Sequence, residues 1–585
     1  MIKHLFLFTI GPVQSFIEQA RKTQDLYAGS FLLSDLIKKA IDRGKENGGN
    51  LIFPNLQGGS LPNRFLMEFE NKNENELKSI GCNIKECIEK LYNHKIEKIL
   101  KSDKFKIDED NEVLSKAKKQ YENHLEIFWL FQEFDNTNYK EAYKEIEQNL
   151  GAIKNIRTFS QNLEQGRKCS LCGERNVLFY RKNDNDLKDD KKLKDKKFIW
   201  DAKIYDNLED SILQKGEGLC AVCIAKRKIK GTGYDEKDKK KFPSVSDIAL
   251  YNVYNKLKEK VGNKQIEDII DDEKYEPQDI FKLKDGEKSE SKKAEELFKL
   301  IKDNNLKEEI NPYYAVLIFD GDSMGEWMSG DNIIKGDLKE FHTQFAEKLS
   351  DFANKAKNEI VKSPKGKSVY AGGDDFLGFL NLSYLFDTLK DLRDNYIKKD
   401  DFNNFEFNKN SNLSFSAGIA IVHHKTPFSE ALGMARKMEK KAKEIDGKDA
   451  FAIAVCKHSG EVEEFAMKFY KNNDKKESNL EELKDILKII TTKHNDKNQF
   501  SFNFVNVLIK EFYHLIGDIE KDNIIKSEIK RTVRNSCQIE DTSKEDKIIL
   551  LSEKIIKLYD NLENKKEFFD ILKILMFINR VSEVK

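Results

Sequence analysis

No run of about 18 or more apolar residues occurs anywhere in the chain, so no membrane-spanning helix is expected. The apolar opening, "MIKHLFLFTIGPVQSF", has no small-residue cleavage site and runs straight into a patterned segment. It reads as a first β-strand over Leu5 to Ile10 rather than a signal peptide, and the expected address is the cytosol. Net charge is missing too: 102 basic side chains balance 102 acidic ones. No global field points to nucleic acid, and any contact with RNA or DNA has to come from local patches.

Cysteine is sparse, eight in 585 residues. Cys82, Cys87, Cys456 and Cys537 are scattered; the rest form two Cys-x-x-Cys pairs, Cys169 and Cys172 in "KCSLCGE" and Cys220 and Cys223 in "GLCAVCIAKR". In a reducing compartment such pairs read as a zinc site rather than disulfides, with a redox dithiol as the other use. Four thiolates close a tetrahedron, so the zinc would be structural.

What is present in quantity is charge, 35% of residues, beside 39% hydrophobic residues that suffice for real cores. At ~100–200 residues per domain the length predicts about three to five domains. In the first 150 residues, Phe16, Ala20 and Thr23 share a helical face, and Leu32, Leu33, Leu36 and Ile37 follow the same period. "LIFP" at 51 is a second strand, and residues 76 to 150, including the aromatic cluster "IFWLFQEF", read as helical. The runs "RKNDNDLKDDKKLKDKKF" and "DEKDKKKF" read as solvated excursions in preference to RNA-binding patches. Residues 262 to 310 suit a polar, helix-like linker, and residues 461 to 585 are helical, with Leu551, Ile555, Leu558, Tyr559 and Leu562 on one face and a nearly continuous apolar "FFDILKILMFIN" to be buried.

Between them lies a different pattern. "YYAVLIFD" is a strand, a helix carries Phe341, Phe345, Leu349 and Phe352, and "SVYAGGDDFLGFL" is strand, turn and strand. A helix, "LSFSAGIAIV", the amphipathic "FSEALGMARKMEKKAKEI" and "AFAIAV" complete a βαββαβ order with an added helix and strand. The turn "GGDD" alone is as consistent with an acidic hairpin as with a metal site. Asp320, at the end of a neighbouring strand in "LIFDGDSMGEW", favours the site. Asp320 with Asp374 would hold one or two divalent ions, hard donors suiting magnesium or manganese. Gly372 and Gly373 let a ligand approach the main chain. The small residues Gly321, Asp322, Ser323 and Gly325 could wrap a triphosphate, and Lys443 could reach back to phosphates, whereas Lys440 and Lys441 read as solvated.

Together these stretches carry a resemblance. "YAGGDDF" with "FDGDSMG" resembles the palm shared by GGDEF diguanylate cyclases and the large subunit of type III CRISPR–Cas effector complexes. "ARKMEKKAK" is similar to the cyclases' alanine–lysine helix, with Lys443 at the phosphate-contacting lysine. The order "FTIGPVQSFIEQARKTQDLYAGSFLLSDLI", "FPN", "LPNRFL", the paired cysteines, the GGDD palm and "SFSAGIAIVHHKTPFSEAL" is that of the Cmr-type (type III-B) large subunit. The resemblance implies an α+β multidomain chain. It would hold a degenerate ferredoxin-like palm domain with a helical insertion over 1–155, a mostly helical zinc-binding domain over 156–308, the GGDD palm/cyclase domain over 309–458 and a C-terminal helical domain over 459–585. It implies a cytoplasmic antiviral assembly with other Cmr-type subunits, guide RNA and target RNA. The activity implied is nucleotidyl transfer from ATP to cyclic oligoadenylate, with Asp320, Asp374 and Asp375 as the metal carboxylates.

One departure has consequences. Many relatives begin with an HD nuclease domain, yet none of the nine histidines here precedes an aspartate; no DNase activity is expected, and His423 and His424 read as structural. Some relatives of this kind use S-adenosylmethionine as second substrate, so an adenylylated adduct stands beside cyclic oligoadenylate. A scaffold subunit with a vestigial palm is the non-enzymatic alternative. A stand-alone diguanylate cyclase leaves the cysteine pairs and helical C-terminus unexplained, and a templated polymerase lacks an argued nucleic-acid channel.

Overall fold

The computed structural model describes residues 2–58, 60–102, 105–107, 111–135, 137–156, 166–183, 202–205, 208, 212–229, 242–471, 477–494, 497–516, 521–562 and 564–582. Most of the two charged runs lies outside these residues. The chain is a mixed α/β, multidomain structure with two principal sheets.

The first sheet is built from β1 (Lys3–Gly11), β2 (Asn50–Phe53), β3 (Arg64–Glu70) and β4 (Glu126–Phe134), antiparallel in the order β2-β3-β1-β4. Helices α1 (Gln14–Glu18), α2 (Thr23–Glu46), α3 (Glu74–Leu100), α4 (Asn111–Glu122) and α5 (Tyr139–Asn155) surround it. The apolar face read from Phe16 to Ile37 is split by a break at Gln19 to Lys22, where Asp25 accepts from the Lys22 N–H, 3.3 Å, and starts α2. "IFWLFQEF" is not helical: its aromatic side chains pair across β1, Phe6 lying opposite Phe131 with ring centroids 4.5 Å apart. Cross-strand aromatic pairing fits a pleated surface and outweighs the helical context on either side.

Next come the short strands β5 (Phe179–Arg181), β6 (Lys203–Tyr205) and β7 (Gly218–Leu219), and helices α6 (Ala221–Lys228), α7 (Val245–Val261), α8 (Asn263–Ile270), α9 (Gln278–Lys284) and α10 (Lys292–Asp303). Residues 262–310 are therefore no linker: Ile266, Ile280, Leu297 and Ile301 are fully buried, one stripe each on amphipathic helices that pack together.

The second sheet contains β8 (Tyr313–Gly321), β10 (Gly366–Gly372), β11 (Asp375–Leu380), β13 (Phe415–His423), β14 (Ala450–Cys456) and β15 (Val462–Lys468). Its order is β10-β11-β8-β13-β14-β15. Between its strands run α11 (Met324–Met328), β9 (Ile333–Lys335), α12 (Leu338–Lys355), α13 (Leu385–Asp394), β12 (Glu406–Phe407) and α14 (Phe428–Lys443). Only β13 and β14 are parallel among its pairs, and α14 is the crossover that parallel pairing requires. The expected βαββαβ order is present, and β15, inside a segment expected to be helical, extends it. The C-terminal helices α15 (Asn479–Thr491), α16 (Asn503–Phe512), α17 (Asp522–Ser536), α18 (Lys544–Asn561) and α19 (Phe568–Val581) follow. Helix α19 buries Phe568, Ile571, Leu575 and Ile578 and packs on β15, so the sheet edge is covered from within the chain.

Period-2 alternation places the core. Leu5 and Leu7 of β1 face the same cluster as Leu317 and Phe319 of β8, whereas Phe6 and Phe8 face α2 and α3. One apolar body thus joins the N-terminal sheet, the second sheet and the C-terminal helices. Among the described residues, no helix is long and apolar enough to cross a membrane.

Candidate active site

Strands β10 and β11 form a hairpin in which Gly372 pairs with Asp375 across a two-residue turn. Gly373 opens the turn at φ +66°, a conformation other residues resist. Gly372 is required by space: a Cβ there would lie 2.9 Å from the Ser60 carbonyl oxygen and from the Tyr370 hydroxyl. The loop between β2 and β3 thus rests on the hairpin backbone.

Strand β11 pairs with β8, Phe376 opposite Phe319, and the next step of that register brings Asp375 beside Asp320. Burial and then the Asp320 charge push the Asp374 carboxyl up to about 6, against the pull of Arg64 and Lys443. Asp375 is driven well above the carboxylate range, by desolvation and then by its contacts with Asp320 and Asp374. Without a cation, three converging carboxylates are an electrostatic cost. Hard oxygen donors crowded in this way suit magnesium or manganese.

Lys443 reaches this cluster from the last turn of α14, pairing with Asp320 and, at 2.8 Å, with Glu439. Burial alone would lower its ammonium, but these contacts outweigh it and hold it above the ordinary lysine value. The reach depends on Gly418: a Cβ there would sit 2.0 Å from the Ala435 carbonyl, so α14 lies directly on β13. Lys441, read as solvated, instead pairs with Glu567 at 2.9 Å, tying α14 to the C-terminal helices.

The loop after β8 divides its duties. Ser323, at φ +53°, accepts a hydrogen bond from Lys448 Nζ, 3.0 Å, and Gly325 lines the cavity beside the hairpin. Gly321 makes room for Asp374, whose Cβ would be 2.8 Å from a side chain there. The Asp322 side chain is held inside the fold. The residue is 3% exposed and accepts from Ser414 Oγ (2.7 Å), Ser416 Oγ (2.8 Å) and the Asp449 N–H (3.1 Å), while its own N–H donates to the Ser414 carbonyl. The Ser416 hydroxyl on β13 and the Ser414 hydroxyl just before it hold this carboxylate in place of solvent, which ties the loop down.

Beside the hairpin a cavity of about 460 Å³ opens between the two sheets. Phe53, Met324, Phe345 and Leu349 give it apolar walls; Arg64, Tyr143, Glu147, His342 and Asp374 supply polar groups. Arg64 pairs with Glu147 at 3.1 Å, and Glu147 also accepts from Tyr143 Oη, 3.0 Å. His342 bridges the Tyr139 hydroxyl and the Met328 carbonyl, 2.8 Å each.

The paired cysteines form a separate site. The ligand atoms of Cys169, Cys172, Cys220 and Cys223 all lie within 4.8 Å of one another, and among the described residues this is the one cluster of three or more Cys, His or carboxylate ligands so tight; the aspartates are looser. Gly173, at φ +66°, donates to the Cys169 carbonyl, closing the first turn. Burial pushes the Cys220 thiol up, as expected of thiols crowded without a cation. Such a cluster can hold a metal ion.

The family profile described as "Cas10/Cmr2, second palm domain" matches residues 313–452, and "CRISPR-associated protein Cmr2, N-terminal" matches residues 5–101. A curated relative, the CRISPR system Cmr subunit Cmr2 of Pyrococcus furiosus, is 26% identical over 568 residues, 78% of this chain and 62% of the relative. Two of its segments thus match Cas10/Cmr2 domains.

The chain spans under two thirds of that relative's length. It shares its fold with a type III-B Cmr-beta cryo-EM structure in the apo state, at 16% identity and a TM-score of 0.65 over 99% of this chain and 82% of the other. The same holds for Cmr-beta bound to cognate target RNA, at 14% identity and a TM-score of 0.64 over 99% and 83%. The GGDD hairpin and Asp320 fall inside the matched second palm. Arg64, within "LPNRFL", and Lys448, after "EIDG", carry no periodic or spacing signal and are visible as site residues only in the fold.

Proposed function

We propose that the chain is the large subunit of an RNA-guided type III-B effector complex, with other Cmr-type subunits, guide RNA and target RNA as partners. Its palm is a target-RNA-activated nucleotidyltransferase that joins ATP into cyclic oligoadenylate. One observation carries this reading: Asp320, Asp374 and Asp375 converge with Lys443, and Asp374 lines a cavity large enough for a nucleotide. The three carboxylates would hold magnesium or manganese, which supplies charge neutralisation at the α-phosphate and activation of a 3′-hydroxyl. The attack forms a phosphodiester bond and releases pyrophosphate.

The residues do the positioning. Gly373 leaves the tip of the hairpin open for a close approach, and Gly372 seats the Ser60 loop against it. Lys443 balances Asp320 until a cation and phosphates replace that pair. Ser323 and Lys448 border the path the phosphates would take, and Asp322 keeps that loop in place. The cysteine cluster would hold a structural zinc. We read four parts, 1–155, 156–308, 309–458 and 459–585, with the third extended to include Val462–Lys468 of its sheet.

The test is to incubate the assembled complex and target RNA with labelled ATP, with and without S-adenosylmethionine, and identify the product by mass. Cyclic oligoadenylate formed from ATP alone supports the reading. A product that appears only with S-adenosylmethionine would reassign the second substrate, and no product in either arm would leave the chain a scaffold.

A further inference from the structure

The N-terminal sheet has no GGDD hairpin of its own, yet it reaches the catalytic one. Arg64 opens β3, directly after the loop whose Ser60 carbonyl rests against Gly372. Its half-buried guanidinium lines the same cavity as Gly373 and Asp374, and its charge is felt at the Asp374 carboxyl. Glu147 of α5 holds it at 3.1 Å, and Phe53 lies under it, 6.0 Å from Cζ to ring centroid. Across the hairpin, charges are unequal. Asp320, Asp374, Asp375 and Glu439 face Lys443, which Asp320 and Glu439 already occupy. The cavity lining itself carries two cations, Arg64 and Lys144, and of these only the planar guanidinium fork presents paired N–H donors to phosphate oxygens.

We propose that Arg64 is a phosphate-binding residue supplied to the palm's cavity by the N-terminal sheet, and that phosphate oxygens displace Glu147 from it on binding. This rests on the reading of the cavity as a nucleotide site. The competing role is a structural tie between β3 and α5, and the two roles predict different responses from the same variants.

The experiment measures, by titration calorimetry in magnesium, binding of α,β-methylene ATP and of adenosine to the full chain and to Arg64→Ala, Arg64→Lys and the double variant Arg64→Ala/Glu147→Ala, with thermal melts as a fold control. Expected is an affinity loss of about 10-fold or more for the ATP analogue in Arg64→Ala, partial recovery in Arg64→Lys, and adenosine affinity within about 2-fold of wild type. The double variant, which leaves no orphaned carboxylate, stays weak for the analogue. Three results overturn the assignment: the analogue binds Arg64→Ala as tightly as wild type, both ligands weaken equally, or the double variant recovers wild-type affinity. A wild-type chain that binds neither ligand overturns the nucleotide reading itself, a result distinct from a loss confined to the Arg64 variants. If Arg64→Ala fails to fold, the double variant and Arg64→Lys decide.

Discussion

The Ser60 carbonyl oxygen lies 2.9 Å from the point where a Cβ on Gly372 would sit. A residue of the loop between β2 and β3 and a residue of the palm hairpin therefore define each other's place, and the glycine is a docking requirement as well as a turn requirement. Gly372→Ala must push back either the loop or the hairpin. Overpacking of this kind costs about 1–3 kcal/mol. The expected outcome is a lowered melting temperature together with lost product. Gly433→Ala is the control: nothing lies within 4 Å of its Cβ, and alanine in a helix is favoured by up to about 1 kcal/mol. Equal melting temperatures for Gly372→Ala and wild type would contradict the docking claim.

Asp374→Asn should separate stability from function. Burial and the Asp320 charge raise this carboxyl to about 6, so its ionised form is a cost in the metal-free fold. The amide removes that cost, and the variant should melt at or above the wild-type temperature in chelator while making no product. Asp322→Asn should do the reverse in kind: it weakens three hydrogen bonds that tie the loop to Ser414, Ser416 and Asp449 and should lower the melting temperature by the equivalent of about 1–3 kcal/mol. A destabilised Asp374→Asn beside an unaffected Asp322→Asn would exchange the two roles.

The cysteine cluster should carry about one zinc per chain. Its loss reaches beyond the cluster. Helix α6, which starts at the second cysteine pair, places buried Lys226 Nζ on the Phe16 and Gln19 carbonyls and Arg227 between Asp25 and Glu217. Cys169→Ser/Cys172→Ser should lower both zinc content and melting temperature, and raise the exchange rate of amide hydrogens over residues 14–25. Unchanged zinc by elemental analysis would sink the assignment.

Acid should destabilise the fold before it denatures carboxylate pairs. His424 packs on Phe281 and Ser246, and His423 stacks near His458, with Lys425 and Asp285 nearby. Burial, then neighbouring positive charge, lowers His423 from 6.5 to about 4 and His424 to about 3. The folded state keeps both neutral while the unfolded chain protonates them. Stability is therefore full above about pH 6.5 and falls as pH drops from there toward 4. His424→Gln should flatten the fall in melting temperature between pH 7.5 and 5; an unchanged slope would assign the acid sensitivity elsewhere.

Legibility in the sequence followed the range of the physical signal. The palm's strands and helices announce themselves because their apolar periods are long and undiluted. Cys169 to Cys223 are legible because metal spacing is short-range, and Asp320 because it ends a strand. "IFWLFQEF" misled because an aromatic run between two helical stretches has no local marker of a strand; Phe6, 125 residues away, supplies its pairing. The acidic loop shows the same long-range dependence. Asp322 has the chemistry of a ligand, but Ser414 and Ser416 claim it across the sheet. Arg64 sits in "LPNRFL" with no periodic signal, and its place beside Asp374 exists only where the two sheets close on one cavity.

The central claim is that Asp374 and Asp375 carry nucleotidyl transfer. Its most direct test is mass identification of the product made from labelled ATP by the assembled complex with target RNA, for wild type and for Asp374→Ala/Asp375→Ala. The account predicts cyclic oligoadenylate from wild type and none from an intact complex of the double variant. Product from the double variant would contradict it.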